Sequence, residues 1–287
     1  MIKLFQIGGF CFQIISDESI TIPENFLKFQ VTDAKNLSFS YHFILSDLID
    51  MPEEEVLTVR EDLIVYKTMH GEGRLMCVNG MQIYANYQEK DVHSAEIVVN
   101  KEMLSDPVDT LFTSLFALER RMISHGSLIL HCAYMEYRGK GVLFSAPSGV
   151  GKSTQAELWE RYRGSQTING DRALLRKKDG VWYACAWPVC GSSGICKRMD
   201  VPIHAIVMLQ QGQKNMVVRL SPGKAFGQIY PQITINQWNP EFVQAAMNGI
   251  EDLILQVPVW ELTCDVSEGA VQCLEDVLFP EHAAGKK

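Results

Sequence analysis

Residues 141–162, GVLFSAPSGVGKSTQAELWERY, leave this chain little freedom in what it can fold into. An apolar run from Val142 to Phe144 reads as a strand, a loop of small residues follows, and an amphipathic run opens at Lys152. Ala146-Pro147-Ser148-Gly149-Val150-Gly151-Lys152-Ser153 meets the relaxed form of the phosphate-loop pattern, with Ala146 where the strict form has Gly. Gly149 and Gly151 let successive backbone N–H groups converge on a phosphate without Cβ obstruction. Lys152 can reach terminal phosphates, the Ser153 hydroxyl can ligate Mg²⁺, and the helix that starts here adds its positive dipole end. Ser148, Gly149, Val150, Gly151, Lys152, Ser153 and Thr154 are therefore the candidate nucleotide-binding residues.

Such a loop needs an acidic partner at the end of a neighbouring strand. TINGDRALL supplies Asp171 at a strand end shortly after the loop helix, as a second metal ligand beside Ser153. His131 lies in the apolar strand hairpinned to the one that delivers the loop, so it is either a satisfied core histidine or a group facing the terminal phosphate.

The rest of the chain sets these residues in an α/β context. Residues 1–104 carry short runs rich in β-branched and aromatic residues, with a hairpin signal at Asn79-Gly80 and no catalytic grouping of His, Asp, Glu or Cys. They are expected to form a β-rich accessory or substrate-recognition region that supplies no metal or nucleotide ligand. One helix is expected from Pro107 to Met122, capped by Asp106, closed by Gly126 and striped by Val108, Leu111, Leu115, Leu118 and Met122. SLILHCAYMEYRGKGVLFSA predicts a hairpin turning at Arg138-Gly139-Lys140, and IHAIVMLQQGQKNMVVRLS predicts another. Between them, QTINGDRALLRKKDGVWYACAW predicts a strand, an acidic turn and a hairpin over Asp179-Gly180. Helices are expected at 221–230, 240–255 and 266–278, with the strand VPVWELTC between the last two. The expected organisation is an accessory region at 1–104, a nucleotide-binding α/β domain at 105–280 and a loose tail at 281–287.

Charge and cysteine usage narrow the function classes. A net charge of -8 argues against nucleic acid or an anionic membrane as main partner. No apolar window is long enough to span a bilayer, and the amino terminus lacks a cleavage pattern, so a cytoplasmic protein is expected. The eight cysteines form no C-x-x-C pair and read as buried thiols.

Taken together, LILHCAYMEYRGKGVLFSAPSGVGKSTQAELW resembles the core of HPr kinase/phosphorylase: a histidine, a Gly-x-Gly-Val-Leu strand, then S-G-x-G-K-S. INGDRALL resembles that family's acidic strand end and the Gly-Asp-Asp element of phosphoenolpyruvate carboxykinases, which share the fold. WPVCGSSG, residues 187–194, is similar to a Pro-Trp-x-Gly-Ser segment of kinase-like relatives, some of which accompany peptide-modification gene sets. The likeness covers residues 124–265 and does not extend to the amino-terminal half. It departs at Thr154, where the family has Glu, and at Gly170, where the family has the first of two Asp residues.

The resemblance implies an ATP- and Mg²⁺-dependent kinase acting on a Ser or Thr hydroxyl of a small protein or peptide, with His131, Lys152 and Asp171 catalytic. Arg172 and the loop Cys190–Arg198, including Ser192, Ser193 and Lys197, are candidates for the acceptor side. A carboxykinase-like enzyme on a small acid and a nucleotide-binding scaffold without turnover are the alternatives. ATP against GTP, and a monomer against a homo-oligomer, stay open.

Overall fold

The computed structural model describes residues 1–33, 36–79, 82–104 and 107–280. Gly80, the Asp106 cap and the tail 281–287 lie outside the described residues. The chain divides into two compact units that meet at Arg121/Met122, later than the 104/105 boundary the sequence suggests.

In the first unit the apolar runs become β1 (Ile2–Ile7), β2 (Phe10–Ser16), β3 (Gln30–Val31), β4 (Leu37–Ser46), β5 (Val56–Val59), β6 (Leu63–Thr68), β7 (Gly71–Val78), β8 (Gln82–Asp91) and β9 (Ser94–Asn100). They form one nine-stranded sheet in the order β3-β1-β2-β4-β9-β8-β7-β6-β5. Where β2 meets β4 and β4 meets β9 the pairing is parallel; the other ladders are antiparallel. A short helix, α1 (Glu24–Leu27), carries the buried Phe26.

The single helix expected from Pro107 is two: α2 (Asp109–Ser114) and α3 (Leu118–Ser124). Ala117 between them takes a left-handed φ of 47°, which no α-helix interior tolerates. Val108, expected on the buried stripe, is instead the exposed residue before α2. Phe112 and Phe116 supply the burial, packing on Phe26 at 5.0 and 5.1 Å between ring centroids. Phe116 also meets Tyr41, whose hydroxyl donates to the Phe116 carbonyl. That aromatic cluster is why the first unit extends past residue 104.

A buried ion cluster, not evident in the sequence, also ties α3 to the sheet of this unit. Arg74 reaches Glu72 and Glu119, each at 2.6 Å, Arg120 reaches Glu72 at 2.7 Å and Glu89 at 3.0 Å, and Arg121 also holds Glu89. Burial pushes the Glu89 pKa up, but Arg120 and Arg121 outweigh it and hold the carboxyl below its usual range. Six side chains of opposite sign thus neutralise one another, the condition under which buried charge is tolerated.

In the second unit the elements are β10 (Leu128–Tyr137), β11 (Lys140–Ser145), α4 (Lys152–Arg163), β12 (Gln166–Asn169), β13 (Arg172–Lys178), β14 (Val181–Cys185), β15 (Val201–Gln211), β16 (Met216–Arg219), α5 (Pro222–Ile229), α6 (Pro240–Gln256), β17 (Val259–Cys264) and α7 (Glu268–Leu278). The turn between β10 and β11 has Arg138 and Gly139 both at positive φ, as a two-residue hairpin requires. IHAIVMLQQGQKNMVVRLS does not form the expected hairpin. β17 lies between its two halves, parallel to β15 and antiparallel to β16, and completes both ladders.

β10 takes part in three ladders: its first half pairs β13, its second half pairs β11 and β12. Side chains alternate across the sheet, as the period-two geometry of strands dictates. Leu143, Ile206 and Met208 face a core closed by α5 and α6, while Val142, Phe144 and Val207 face one closed by α4 and α7. No helix among the described residues is long and apolar enough to cross a membrane.

Candidate functional site

Every sequence-predicted site residue outside the 190–198 loop stands at or near the end of β11. Ser145 closes that strand, and its hydroxyl donates to the His131 carbonyl at 2.8 Å, pinning β10 to β11 where the loop departs. Gly149 and Gly151 take φ of 80° and 117°, and Gly151 is the residue from which α4 starts. Ala146 has no positive φ, so the first position of the pattern needs no glycine here. Ser148 and Gly149 are exposed; Val150, Ser153 and Thr154 are half-buried.

Lys152 is buried and folds back over the loop, its Nζ donating to the carbonyls of Ala146 at 3.1 Å and Pro147 at 3.3 Å. Burial lowers the pKa of this ammonium, while Asp171 and Cys132 pull it the other way. A cation whose hydrogen bonds here go to neutral carbonyls can exchange them for an anion.

The turn after β12 comes to the same place. Ser153 Oγ donates to the Gly170 carbonyl at 3.3 Å, so the loop helix touches the residue next to Asp171. His131 and Arg172 face each other across the β10–β13 ladder and both reach Asp171: His131 Nε2 lies 3.5 Å from Oδ1, and Arg172 Nε 3.2 Å from Oδ2. The hydrogen bond from His131 lowers the Asp171 pKa most; burial opposes it, and Arg172 and Lys152 add to the lowering. Arg172 is braced in turn, donating from Nη1 to Thr234 Oγ1 at 3.0 Å.

Two features of this turn were not read from the sequence. Asn169, 1 % exposed, accepts at Oδ1 from the N–H groups of Asp171 and Arg172, and donates from Nδ2 to the Trp187 and Val189 carbonyls. It thereby fixes the Asp171 turn to the segment Trp187–Cys196. That segment lies on Gly170: a Cβ there would stand 2.2 Å from Ser193 Oγ and 2.5 Å from Ser193 Cβ. The same segment touches Asp171 itself, since a Cβ at Gly191 would be 3.0 Å from Asp171 Cβ. The Gly where the resembled family has Asp is thus dictated by packing.

Of the proposed acceptor-side residues, Ser193 uses its hydroxyl inside the loop, donating to the Cys190 carbonyl and accepting from the Ile195 N–H. Ser192 is exposed, and half-buried Lys197 is fixed through its backbone N–H to the Ile168 carbonyl. Gly170→Ala should lower stability by about 1–3 kcal/mol, the usual cost of overpacking, and Ser193→Gly in the same chain should recover part of it. Urea unfolding of the single and double variants checks this; equal midpoints for the parent and Gly170→Ala would contradict the close contact.

Residues 101–278 match the family described as SynChlorMet cassette protein ScmC. The chain belongs to the SynChlorMet cassette protein ScmC family. The match takes in the loop, the Asp171 turn and the Trp187–Cys196 segment, and begins after the last strand of the nine-stranded sheet. No curated protein matches the chain. Among solved structures, the Hpr(Ser) kinase/phosphatase from Coxiella burnetii aligns at 13% identity with a TM-score of 0.31, over 55% of this chain and 91% of that one.

Proposed function

We propose that this ScmC-family chain binds a magnesium–nucleoside triphosphate on the loop 146–153 and transfers its γ-phosphoryl group to a Ser or Thr hydroxyl of a small protein or peptide. The observation that carries the reading is the convergence of Lys152, Ser153, Asp171 and His131 at the end of one strand, with Ser153 bonded to the residue before Asp171. The donor set fits magnesium: a hydroxyl and a carboxylate are hard oxygen ligands, and Mg²⁺ is commonly held by one or two such groups together with phosphate oxygens. Ser153 and Asp171 would hold it, and it would neutralise charge on the β- and γ-phosphates.

Chain residues account for the remainder. The N–H groups of Gly149, Val150 and Gly151 and the Lys152 ammonium cradle the phosphates. Asp171 accepts a hydrogen bond from the acceptor hydroxyl and takes its proton as the new O–P bond forms and the bond from the γ-phosphorus to the bridging oxygen breaks, releasing the nucleoside diphosphate. His131 and Arg172 hold the carboxylate in place from two sides. Such chemistry depends mainly on positioning and charge.

A second reading, a nucleotide-binding partner without turnover, is favoured by one observation: packing against Ser193 leaves Gly170 no room for a second carboxylate. The family name marks a gene cassette, so short polypeptides encoded beside the gene are the acceptors to test. Incubation with γ-labelled ATP and these polypeptides supports the kinase if label appears on Ser or Thr. Tight ATP binding with neither labelled peptide nor ADP release supports the partner instead.

A further inference from the structure

The strand that delivers the loop has two flanks of opposite character. On the β10 flank stand Asp171, His131 and Arg172, all ionisable. On the β15 flank the pairing runs to Ser145 opposite Met208, and β15 then continues beyond the point where β11 turns into the loop. There a groove of about 560 Å³ opens, walled by the loop residues Pro147 and Val150, by the end of β15 and by the α5 segment. Its lining carries no charged side chain.

The polar atoms of this groove are glutamine amides, and the fold orients them. Gln210 and Gln228 both donate from Nε2 to Glu261 Oε2, at 2.9 and 2.8 Å. A carboxylate only accepts, so Glu261 fixes the NH₂ end of each amide toward itself and turns each carbonyl away. Gln211 donates to the Val150 carbonyl at 3.3 Å, joining the groove rim to the loop. Pro147 and Val150, with the largely buried Met208 and Leu209, make up the apolar part of the lining. The volume lies in the range of about 300–1,000 Å³ typical of small-molecule pockets, which pair apolar walls with a few placed polar groups.

We infer that this groove takes the nucleoside half, base and ribose, of a nucleoside triphosphate whose phosphates lie on the loop. The inference rests on the nucleotide reading above and assigns its uncharged end. A polyphosphate on the loop places its terminal phosphate by Asp171, so its neutral end leaves on the opposite flank. A flat heteroaromatic ring suits the Pro147–Met208 surface, and the amides meet the hydrogen-bonding edge of the base or the ribose hydroxyls.

Gly227 offers the test. It lines the groove from α5, and a Cβ added to it meets nothing within 4 Å, so a larger side chain can be placed at the groove wall without displacing the core. Leu is also the better helix former, so Gly227→Leu should fold at least as stably as the parent, which thermal melting verifies. The probes are Mg-ATP and magnesium tripolyphosphate, measured by calorimetric titration. In the parent, ATP should bind at least about 10-fold more tightly than tripolyphosphate, the advantage supplied by the nucleoside. In Gly227→Leu that advantage should vanish while tripolyphosphate affinity is unchanged, with Gly227→Ala lying between.

An unchanged ATP affinity in Gly227→Leu overturns the assignment. So does an equal fall for both ligands, which would place the effect on the loop, or a loss of peptide labelling with ATP binding intact, which would make the groove the acceptor's. A parent that binds tripolyphosphate as tightly as ATP removes the groove assignment and leaves the loop reading standing. A parent that binds neither ligand removes both.

Discussion

Lys152→Ala is expected to weaken binding of Mg-ATP by about 100-fold, the loss of one or two charge-assisted hydrogen bonds, while leaving the fold intact. The Lys152 ammonium is buried over the loop and donates to two backbone carbonyls, those of Ala146 and Pro147. A phosphate offers the same donor far stronger acceptors, so most of the interaction energy of this side chain is reserved for the bound state. In the free protein its removal leaves two carbonyls beside an exposed loop that water can reach, which should cost about 1 kcal/mol. Lys152→Arg should not restore binding, because a planar guanidinium cannot occupy the slot of a compact ammonium. Titration calorimetry beside a thermal melt separates the two effects. A Lys152→Ala chain that melts like the parent and binds Mg-ATP as tightly would sink the phosphate-loop assignment.

What the sequence showed of this molecule is what short stretches decide for themselves. The Arg138-Gly139 and Asp179-Gly180 turns and the strand–loop–helix about Lys152 are all set by neighbours in the chain, and all stand where the residues put them. Pairings between distant segments were not legible. β17 displaces β16 from β15 because a parallel partner for β15 is available far along the chain. The break at Ala117 had no local signal, since alanine is the best helix former and its left-handed φ is imposed from outside. The charges of the buried cluster are scattered over β7, β8 and α3, so no single stretch of sequence collects them.

The candidate site divides the same way. Lys152, Ser153 and Asp171 were legible from spacing, and His131 gained its interest through the resemblance. What holds Asn169 and requires glycine at 170 was not legible, because the partners Trp187, Val189 and Ser193 lie in another segment. The groove beside the loop left no pattern at all, being assembled from the loop, the β15 end and α5.

Asp171→Asn is expected to lower phosphoryl transfer by about two orders of magnitude or more, the scale of lost general-base assistance, with a smaller loss in Mg-ATP affinity. The substitution keeps shape and some hydrogen bonding but removes the negative charge that His131, Arg172 and Lys152 surround. Those same neighbours hold the Asp171 pKa below the usual carboxylate range, which makes the group a reliable anion and a weak base. On the mechanism proposed above, its larger share of the work would therefore be to orient the hydroxyl and hold the metal, with proton uptake completed late, as charge develops on the attacking oxygen. Two pH dependences follow from the sign of that shift. Activity requiring ionised Asp171 should stay level as pH falls from neutrality through the ordinary carboxylate range, with an acid limb only below it. Stability from the same group is present above its unfolded pKa and lost as pH falls through the lower folded one, so the melting-temperature gap between parent and Asp171→Asn should close in acid. Single-turnover transfer of labelled phosphate at several pH values measures the first, and melting curves the second. If Asp171→Asn transfers phosphate at the parental rate, the carboxylate is not part of the chemistry. A gap that persists unchanged into acid would mean that the loss comes from shape, not from charge.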